Sequence, residues 1–407
     1  MVTHTAGQMD EVALMERPTE VIGRMRTRSV MFGAVGLVLS IAGYLAKGEA
    51  FWSSYLIAFY FWNGLTIGSM AVLMVQYLSG GAWGLVSRRI LEAATKTLPL
   101  MAILFIPILL HRQSLYPWAT AEGAADPAIQ LKAGYLNLPF FTLRAALYFL
   151  IWGALIFTLN RFSREQDAAA PMLPGPQDRR ARVVSGPGLV LYVLTITFMS
   201  VDWVMSLDPH WYSTIFGIIT LGGHGLSTLA FTILILSVLV KTKPMSEVLS
   251  AETIHDISKL MFAFVLLWAY FNVSQLIIIW SGNLPEEIPF YLERLNGPWA
   301  AISTLLLIGQ FVLPFLLLLS RGLKRDPQKV KWIAVIILIM RVVDITWTIG
   351  PVEHFHRTNS TLSWVDFAVV IAMGGAWLTY FWRNLAGRAV VPAKDPYFKE
   401  ALAHGGH

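Results

Sequence analysis

The chain has 407 residues, of which 56% are hydrophobic and only 14% charged, with a mean hydropathy of +0.58. A soluble domain carries about 25% charged residues, so this composition excludes a soluble protein and indicates membrane helices rather than the short alternating strands of a barrel. The absence of cysteine excludes thiolate-bound iron–sulfur clusters, c-type haem attachment, cysteine-ligated zinc and disulfides in this chain, and the net charge of +6 is spread over loops rather than gathered for nucleic acid.

Ten apolar segments along the chain are predicted to be transmembrane helices, so the expected fold is an all-α integral membrane protein. They leave residues 1–27 and 385–407 as terminal tails and make 28–384 one ten-span membrane domain. Most segments are near the ~20 residues that a helix needs to cross a bilayer. The predicted spans are 28–46, 51–78, 93–110, 139–160, 186–207, 212–240, 256–280, 297–320, 331–348 and 363–384.

The basic residues predict the orientation of these spans. With a cytoplasmic N-terminus, 24 of the 31 lysines and arginines fall in inside segments and five in outside segments. Cytoplasmic loops of membrane proteins are enriched in Lys and Arg, so both tails are expected on the cytoplasmic side. The inside loop 161–185 contains several prolines and a basic run at 179–182, and it is expected to be extended or mobile.

A weak internal repeat relates spans two to five with spans six to nine. Asp202 in span five precedes Pro209 by seven residues, and Asp344 in span nine precedes Pro351 by the same distance. Because four spans are an even number, the two copies would have parallel topology, which predicts two four-helix bundles flanked by spans one and ten. Two further matches keep the same order: Glu92-x-x-x-Lys96 with His255-x-x-x-Lys259, and Asn63-Gly64-Leu65 with His224-Gly225-Leu226.

Five ionisable residues fall in or near the outer half of the predicted spans: Arg144, Asp202, Arg341, Asp344 and Asp366. Arg341 and Asp344 are three residues apart and therefore share one helix face. One interpretation is a structural cluster of nearly neutralised charges that holds helices together. The other is a proton or ion path that opens outward, because ionisable residues inside a membrane mark such paths.

His224 lies near the middle of span six, between two glycines, and is the deepest histidine of the sequence. A membrane b-type haem needs a second histidine at matching depth, and none is present, so this haem is not expected. His224 is either a core residue hydrogen-bonded to a carbonyl or to Asn63, or a proton relay, or a hydrogen-bond partner of a quinone carbonyl. Trp62 ends an aromatic run that lines either a quinone slot or ordinary helix and lipid contacts.

Glu92 and Lys96 precede the third span with a spacing of four residues, in the order that favours an ion pair. They form either a surface pair at a helix entrance or the inner mouth of a half-channel that leads toward His224. His255 and Lys259 occupy the equivalent place in the second unit.

The stretch 201–217, VDWVMSLDPHWYSTIFG, resembles the signature of the NrfD/PsrC-like membrane subunits of bacterial alternative complex III, a quinol:electron acceptor oxidoreductase. The resemblance covers nearly the whole chain and is to the shorter, ActF-type subunit rather than to the ActC type. The other segments that carry it are YLIAFYFWNGLTIGSMAVLMVQ (55–76), GLVSRRILEAATKTLP (84–99), LNLPFFTLRAALYFLIWGALIFTLNRFSREQ (136–166), LWAYFNVSQLIIIWSGNLPEE (267–287) and 316–326.

This resemblance implies ten transmembrane helices, with two four-helix bundles in the middle, in the inner (plasma) membrane of a bacterial cell. It also implies partners that carry haem c and iron–sulfur clusters: a pentahaem cytochrome c subunit, an iron–sulfur subunit, an ActC-type paralogue, a monohaem cytochrome c subunit and small membrane subunits. Quinol oxidation in this family is placed at the ActC-type paralogue. The ActF-type subunit is described chiefly as a proton path and scaffold, and the aspartate of its DW motif corresponds to Asp202.

Three functions remain open. The first is a membrane subunit without its own redox cofactor that supports quinol oxidation and electron transfer to cytochrome c or a similar acceptor. The second is a quinone-binding catalytic subunit for menaquinone or ubiquinone, with His224, Asn63, Trp62 and Asp202 at the site. The third is a secondary transporter, which can also combine ten spans, a repeat and buried charge. The residues expected on a proton path are Asp202, His224, Asp344, Arg341, Arg144, Asp366, Glu92, Lys96 and His255.

Overall fold

The computed structural model describes residues 17–168, 176–352 and 362–395, with the backbone alone for 176–178. These ranges are helical and contain no β-strand, which confirms the all-α fold. Short helices occupy the connections at Arg112–Leu115, Pro127–Lys132, Met245–Val248, Pro289–Leu295 and Arg321–Lys324. The long helices are α1 (Thr19–Lys47), α2 (Phe51–Ser79), α3 (Ala82–Thr95), α4 (Leu98–Leu110), α5 (Leu138–Ala168), α6 (Pro176–Trp203), α7 (Phe216–Leu239), α8 (Ala251–Gly282), α9 (Gly297–Leu319), α10 (Pro327–Ile349) and α11 (Trp364–Ala386).

Within the described ranges, nine helical segments are long and apolar enough to cross a membrane, so this is a multi-pass membrane protein. The first segment, Thr19–Ser79, consists of two helices, α1 and α2, joined by a single 3-10 turn at Gly48–Ala50. Gly48 has φ +55°, a left-handed conformation that glycine adopts without steric cost. The chain therefore has a sharp break between α1 and α2.

Contacts with α11 show that α1 and α2 run in opposite directions. Gly33 of α1 packs against Gly375, and Gly36 packs against Ala372, so α1 is antiparallel to α11. Close approach of the two backbones is possible because these positions are small. On α2 the order is parallel, as three hydrogen bonds show: Ser54 to Asp366, Trp62 to the Val370 carbonyl, and Trp377 to Thr66.

Three long helices begin about ten residues earlier than the sequence predicts. Helix α1 begins at Thr19 rather than at residue 28, α3 at Ala82 rather than at 93, and α6 at Pro176 rather than at 186. In each case the first turns of the helix carry charged residues, so the apolar run from which a span is predicted begins later than the helix itself. The basic run at 179–182 is helical, so the prediction of an extended segment there is wrong. Of the predicted tails, residues 1–16 and 396–407 lie outside the described ranges.

Helices α2 and α7 pack closely at the centre of the molecule. The contact uses Gly64 and Gly68 of α2, spaced four residues apart as in the small-xxx-small pattern of membrane helix pairs. Gly64 lies against the imidazole ring of His224, and Gly68 lies against the Thr228 side chain and the His224 backbone. A glycine pair therefore sets the distance at which the two central helices meet.

The glycines of α7 let other helices approach from different sides. Gly223 lies under the guanidinium of Arg341 on α10, and Gly225 lies under the ring of Phe264 on α8. His224 between them points toward α2 and α6. The sequence GGHG thus serves as a packing centre, where glycines let α8 and α10 approach α7 closely.

Replacing Gly68 by alanine is expected to destabilise the fold by about 1–3 kcal/mol, the usual effect of overpacking a core. The new Cβ would lie 2.5 Å from Thr228 Oγ1 and 2.8 Å from the backbone oxygen of His224, which cannot turn away. The measurement is the midpoint of SDS-induced unfolding of the purified chain. Gly153→Ala on α5 is the matched control, because its Cβ would meet nothing closer than 3.9 Å. Equal stability of the two variants would contradict the packing argument.

Helix α9 contains a π-helical segment, Leu307–Val312, with an explanation in its sequence. Pro314 has no backbone N–H to bond the carbonyl of Gln310 and its ring disfavours regular α-geometry there. The Gln310 side chain is fully buried, and neither its oxygen nor its nitrogen has a hydrogen-bond partner in the described protein. π-Helical segments frequently occur at functional sites, and this one places an unsatisfied amide inside the helix bundle.

Candidate functional site

The signature stretch forms the corner between α6 and α7. Helix α6 ends at Trp203, a 3-10 turn follows at Met205–Leu207, and α7 begins at Phe216 rather than at the predicted residue 212. The Asp208 carboxylate accepts hydrogen bonds from the backbone N–H groups of His210 (3.1 Å) and Trp211 (3.3 Å). This Asx-type turn keeps the residues after Pro209 out of the helix. The predicted helix end, corner and helix start are therefore present.

Asp202 is held by an ion pair with Arg144 of α5. Its two carboxylate oxygens accept from Arg144 Nε (2.8 Å) and Nη2 (2.9 Å), and the Tyr148 hydroxyl donates a third hydrogen bond (2.7 Å). Asp202 is fully buried, whereas the Arg144 side chain is 16% exposed. The guanidinium also stacks on the ring of Tyr135 at 3.7 Å. A bidentate pair of this kind is strong and fixes the orientation of both groups.

Asp344 and Arg341 form an ion pair on one face of α10, as their spacing predicts. Both side chains are buried, and Trp268 of α8 donates its indole N–H to Asp344 (3.1 Å). The guanidinium of Arg341 fills the space beside Gly223. This pair therefore connects α7, α8 and α10.

Asp366 has a different role at the start of α11. Its carboxylate accepts from the Ser54 hydroxyl (2.6 Å) and from the backbone N–H of Ser363 (2.9 Å), which completes a capping box. Asp366 contacts neither of the two arginine pairs in the contacts described. Four of the five ionisable residues therefore form two separate arginine–aspartate pairs, as the structural interpretation of paired charges requires, but the contacts described do not join them and Asp366 into one cluster.

His224 is buried at mid-depth with one hydrogen bond. The Tyr192 hydroxyl of α6 lies 3.4 Å from Nδ1, while Nε2 has no partner and lies beside Gly64. Asn63, the residue before Gly64, is also buried, and both atoms of its amide lack partners among the described protein groups. The hydrogen bond between His224 and Asn63 that the sequence suggested is therefore not formed.

Thr228, one turn after His224, has an unpartnered hydroxyl as well. We term these residues (Asn63, Tyr192, His224 and Thr228) the mid-depth layer.

Trp62 points away from the mid-depth layer. Its indole N–H donates to the Val370 carbonyl of α11 (2.9 Å), and its ring packs on Gly374. Asp202 in turn is occupied by α5. The four residues predicted for a quinone site are therefore divided: Trp62 contacts α11, Asp202 contacts α5, and His224 lies beside α2, which carries Asn63.

Glu92 lies inside α3, not at a helix entrance, and is surrounded by arginines. Its carboxylate pairs with Arg88 (3.1 Å), Arg89 (2.8 Å) and Arg388 (3.1 Å), and these replace the predicted pair with Lys96. Glu92, Arg88 and Arg89 are each no more than 3% exposed. Burial lowers the pKa of Arg388, against the attraction of the Glu92 carboxylate. Lys96 lines a cavity of about 10 Å³ beside Glu92 and Arg388, which is near the smallest size that holds one water.

The arginine cluster around Glu92 ties the chain after α11 to α3 and α5. Arg88 also binds Asp395 (2.7 Å) and Gln166 (2.7 Å), and Arg89 binds Ser163 (2.8 Å) and Asp167. Val390 and Val391, which lie between Arg388 and Asp395 in the sequence, are also buried. The described part of the predicted C-terminal tail is therefore docked onto the membrane domain.

His255 has local partners at the start of α8. Its Nδ1 lies 3.6 Å from the Glu252 carboxylate, and Lys259 pairs with Asp256 (3.2 Å) at an exposed position. No arginine cluster like that of Glu92 surrounds it in the contacts described. His255 and Lys259 therefore match Glu92 and Lys96 in their sequence spacing but not in the ion pairs that they form.

The sequence analysis did not identify several residues of the Glu92 cluster, the mid-depth layer and the π-helical segment. Arg88 and Arg89 stand four and three residues before Glu92, a spacing that signals ion pairs on one helix face. Tyr192 and Gln310 gave no such signal, because their contacts come from other helices. In the described ranges, no three His, Asp or Glu side chains are grouped as metal ligands.

Comparison with known proteins adds no relative: no protein-family model matches the sequence, and no curated protein matches it.

Proposed function

We propose that this chain is an ActF-type, NrfD-like membrane subunit of an alternative complex III in a bacterial inner membrane. In this role it supports quinol oxidation and electron transfer to cytochrome c or a similar acceptor as a proton path and a scaffold, without a redox cofactor of its own. The observation that carries the proposal is the mid-depth layer of buried, incompletely hydrogen-bonded polar groups, which lies between the Asp202 pair at one end and the Glu92 cluster at the other.

The mid-depth layer suits the transfer of protons. Buried polar atoms without a protein partner are normally satisfied by ordered water, and His224 Nε2 together with the Asn63 amide offers three such atoms. Water at these atoms would join a titratable imidazole whose other nitrogen already meets the Tyr192 hydroxyl. An ionisable group with water at the depth of the hydrocarbon core is the usual element of an intramembrane proton relay.

We further propose that the chain crosses the membrane ten times, with two four-helix bundles and both termini cytoplasmic. The contacts support this arrangement: α2 packs against α3 and α6, α7 packs against α8 and α10, and α2 packs against α7. In each of the two proposed four-helix units, the first helix thus packs against the second and the last helix. The first helices of the two units pack against each other at the centre. The opposite directions of α1 and α2 account for the tenth crossing.

The membership of a complex is tested by purifying this chain with an affinity tag from its native membranes. We expect co-purified subunits that show c-type haem absorbance and the electron paramagnetic resonance signals of iron–sulfur clusters. A chain that purifies alone and catalyses solute uptake in liposomes would support a transporter instead. Labelling of this chain, rather than of a paralogue, by a photoreactive quinone would favour the catalytic quinone-binding subunit.

His224→Ala is expected to lower proton movement coupled to quinol oxidation by at least about twofold, because it removes the titratable group of the mid-depth layer. The measurement uses the intact complex in liposomes with a pH-sensitive dye, after haem content has confirmed assembly. His224→Gln, which keeps a hydrogen-bonding side chain but cannot titrate, should show the same loss. His210→Ala, at the 61% exposed histidine of the corner, is the control. Unchanged proton movement in assembled His224 variants would refute the relay.

A further inference from the structure

A large groove runs along the outside of the helix bundle between α1, α4 and α11. Its volume is about 1170 Å³. On α1 it is lined from Arg26 to Tyr44, which are eighteen positions apart and therefore separated by roughly 27 Å at ~1.5 Å per residue. The hydrocarbon core of a bilayer is ~30 Å thick, so the groove extends over nearly all of it.

The walls of the groove are apolar, and one face of each helix forms them. Val30, Leu37 and Ile41 contribute from α1, and Ile103 contributes from α4. Ala34 on α1 and Ala376 on α11 are small and exposed, and they leave the space between the larger side chains open. A hydrocarbon chain is the occupant that matches such walls.

The two ends of the groove differ in chemistry. At one end lie Arg26 of α1 and Arg383 of α11, which the antiparallel register of these helices brings to the same level. Neither arginine makes an ion pair with a described residue, and both are exposed. At the other end the ring of Trp52 stacks on His111 at 3.5 Å. Among the residues that line the groove, the arginines lie only at the first end.

We propose that this groove binds an anionic phospholipid, with its phosphate between Arg26 and Arg383 and an acyl chain along α1, α4 and α11. Guanidinium groups bind phosphate oxygens by charge-assisted hydrogen bonds, and basic pockets at the ends of membrane helices select anionic headgroups. Both arginines fall on the side that the basic residues predict to be cytoplasmic. The proposal concerns a site distinct from the mid-depth layer and stands independently of the proposed function.

Native mass spectrometry of the purified full-length chain with phosphatidylglycerol or phosphatidylcholine tests this site. We expect about a 25-fold preference for phosphatidylglycerol, from roughly fivefold for each of the two arginines. Arg26→Gln/Arg383→Gln should remove most of this preference. Arg24→Gln is the matched control, because Arg24 is exposed two positions earlier on α1 and does not line the groove. Equal binding of the two lipids, or an unchanged preference in the double variant, would overturn the proposal.

The apolar part of the site has a separate test. Ala376→Phe places a ring in the groove while leaving both arginines in place, so it should reduce retention of phosphatidylglycerol severalfold. Leu131→Phe, at a 90% exposed position of a connecting helix, is the control for an added ring. Undiminished lipid retention in Ala376→Phe, or a structure of the complex with a partner helix filling the groove, would show that the groove does not hold the acyl chain.

Discussion

Asp202→Asn is expected to lower the free energy of unfolding by about 3 kcal/mol or more, because it removes one charge of a buried ion pair and leaves the other. Arg144 donates two hydrogen bonds to Asp202, and its side chain is only 16% exposed, so water cannot fully replace the lost carboxylate. The amide also changes the hydrogen bond from Tyr148. The measurement is the midpoint and slope of SDS-induced unfolding of the purified chain in mixed micelles.

A double-mutant cycle separates charge imbalance from loss of shape. Arg144→Gln/Asp202→Asn replaces the ion pair by two neutral amides, so it should be more stable than Asp202→Asn alone by at least about 1 kcal/mol. Asp256→Asn is the matched control, since Asp256 pairs with Lys259 at a half-exposed position and such pairs contribute about 0–1 kcal/mol. If Asp202→Asn is as stable as the wild type, or if the double variant is the least stable of the three, the ion pair is not what holds α5 to α6.

This prediction bears on the choice between anchor and proton path. Asp202 accepts three hydrogen bonds, from Arg144 and Tyr148, which hold its carboxylate in one position between α5 and α6. His224 has one hydrogen bond and one open nitrogen. We therefore infer that Asp202 is chiefly an anchor between helices and that His224 is the better candidate for a group that exchanges protons. If the chain is the complex subunit that we propose, this distinction predicts that Asp202 variants lose the complex and that His224 variants still assemble.

The sequence predicts the position of a residue along its helix well and its partners on other helices poorly. The position of a residue along an apolar span gives its depth in the membrane, so Asp202 could be assigned near one end and His224 near the middle. A single sequence does not show which helices are neighbours. Arg144 and Asp202 could be assigned to the same half of the membrane, but their pairing depends on how α5 packs against α6. For the same reason Asp366 was grouped with the arginines, although it caps its own helix.

Contacts within one helix are the exception, because spacing alone determines them. The pair of Arg341 and Asp344 was predicted from a spacing of three residues and is formed. The same rule applied to Arg88, Arg89 and Glu92 would have found two more pairs. The apolar run predicts a helix start near residue 93, and with that start only Lys96, which follows Glu92, lies on the same helix at a pairing distance. Helix α3 begins at Ala82, so the residues before Glu92 are on the helix too. An error in a helix boundary thus became an error in an ion pair.

Glu92→Gln is expected to destabilise the chain by about 3–5 kcal/mol, the usual effect of removing one partner from a buried charge network. Three guanidinium groups lie around this carboxylate, and among the described residues Asp167 and Asp395 remain as their carboxylate partners in the variant. The effect should exceed that of Asp202→Asn, because one carboxylate is shared by three cations rather than one. Unfolding in SDS measures it on the same scale.

The same substitution should release the segment after α11. Arg388 binds Glu92, and Asp395 is held by Arg88, whose orientation also depends on Glu92. Limited digestion with trypsin, which cleaves after Arg388 and Lys394, should therefore remove a C-terminal tag faster in Glu92→Gln than in the wild type. Local opening of this kind requires less free energy than global unfolding, so it should appear at temperatures where the variant is still folded.

Restoring the charge balance provides the decisive comparison. Glu92→Gln/Arg388→Gln removes one cation together with the anion, so it should recover stability relative to Glu92→Gln. Cleavage after Lys394, the trypsin site that both variants keep, should stay faster than in the wild type, because the contact between Arg388 and Glu92 is gone in both variants. A cluster that merely fills space would respond alike to Glu92→Gln and to the double variant, since glutamine has nearly the shape of glutamate. Recovery of stability without recovery of protease resistance would show that Glu92 both neutralises the buried arginines of α3 and fastens the chain that follows α11.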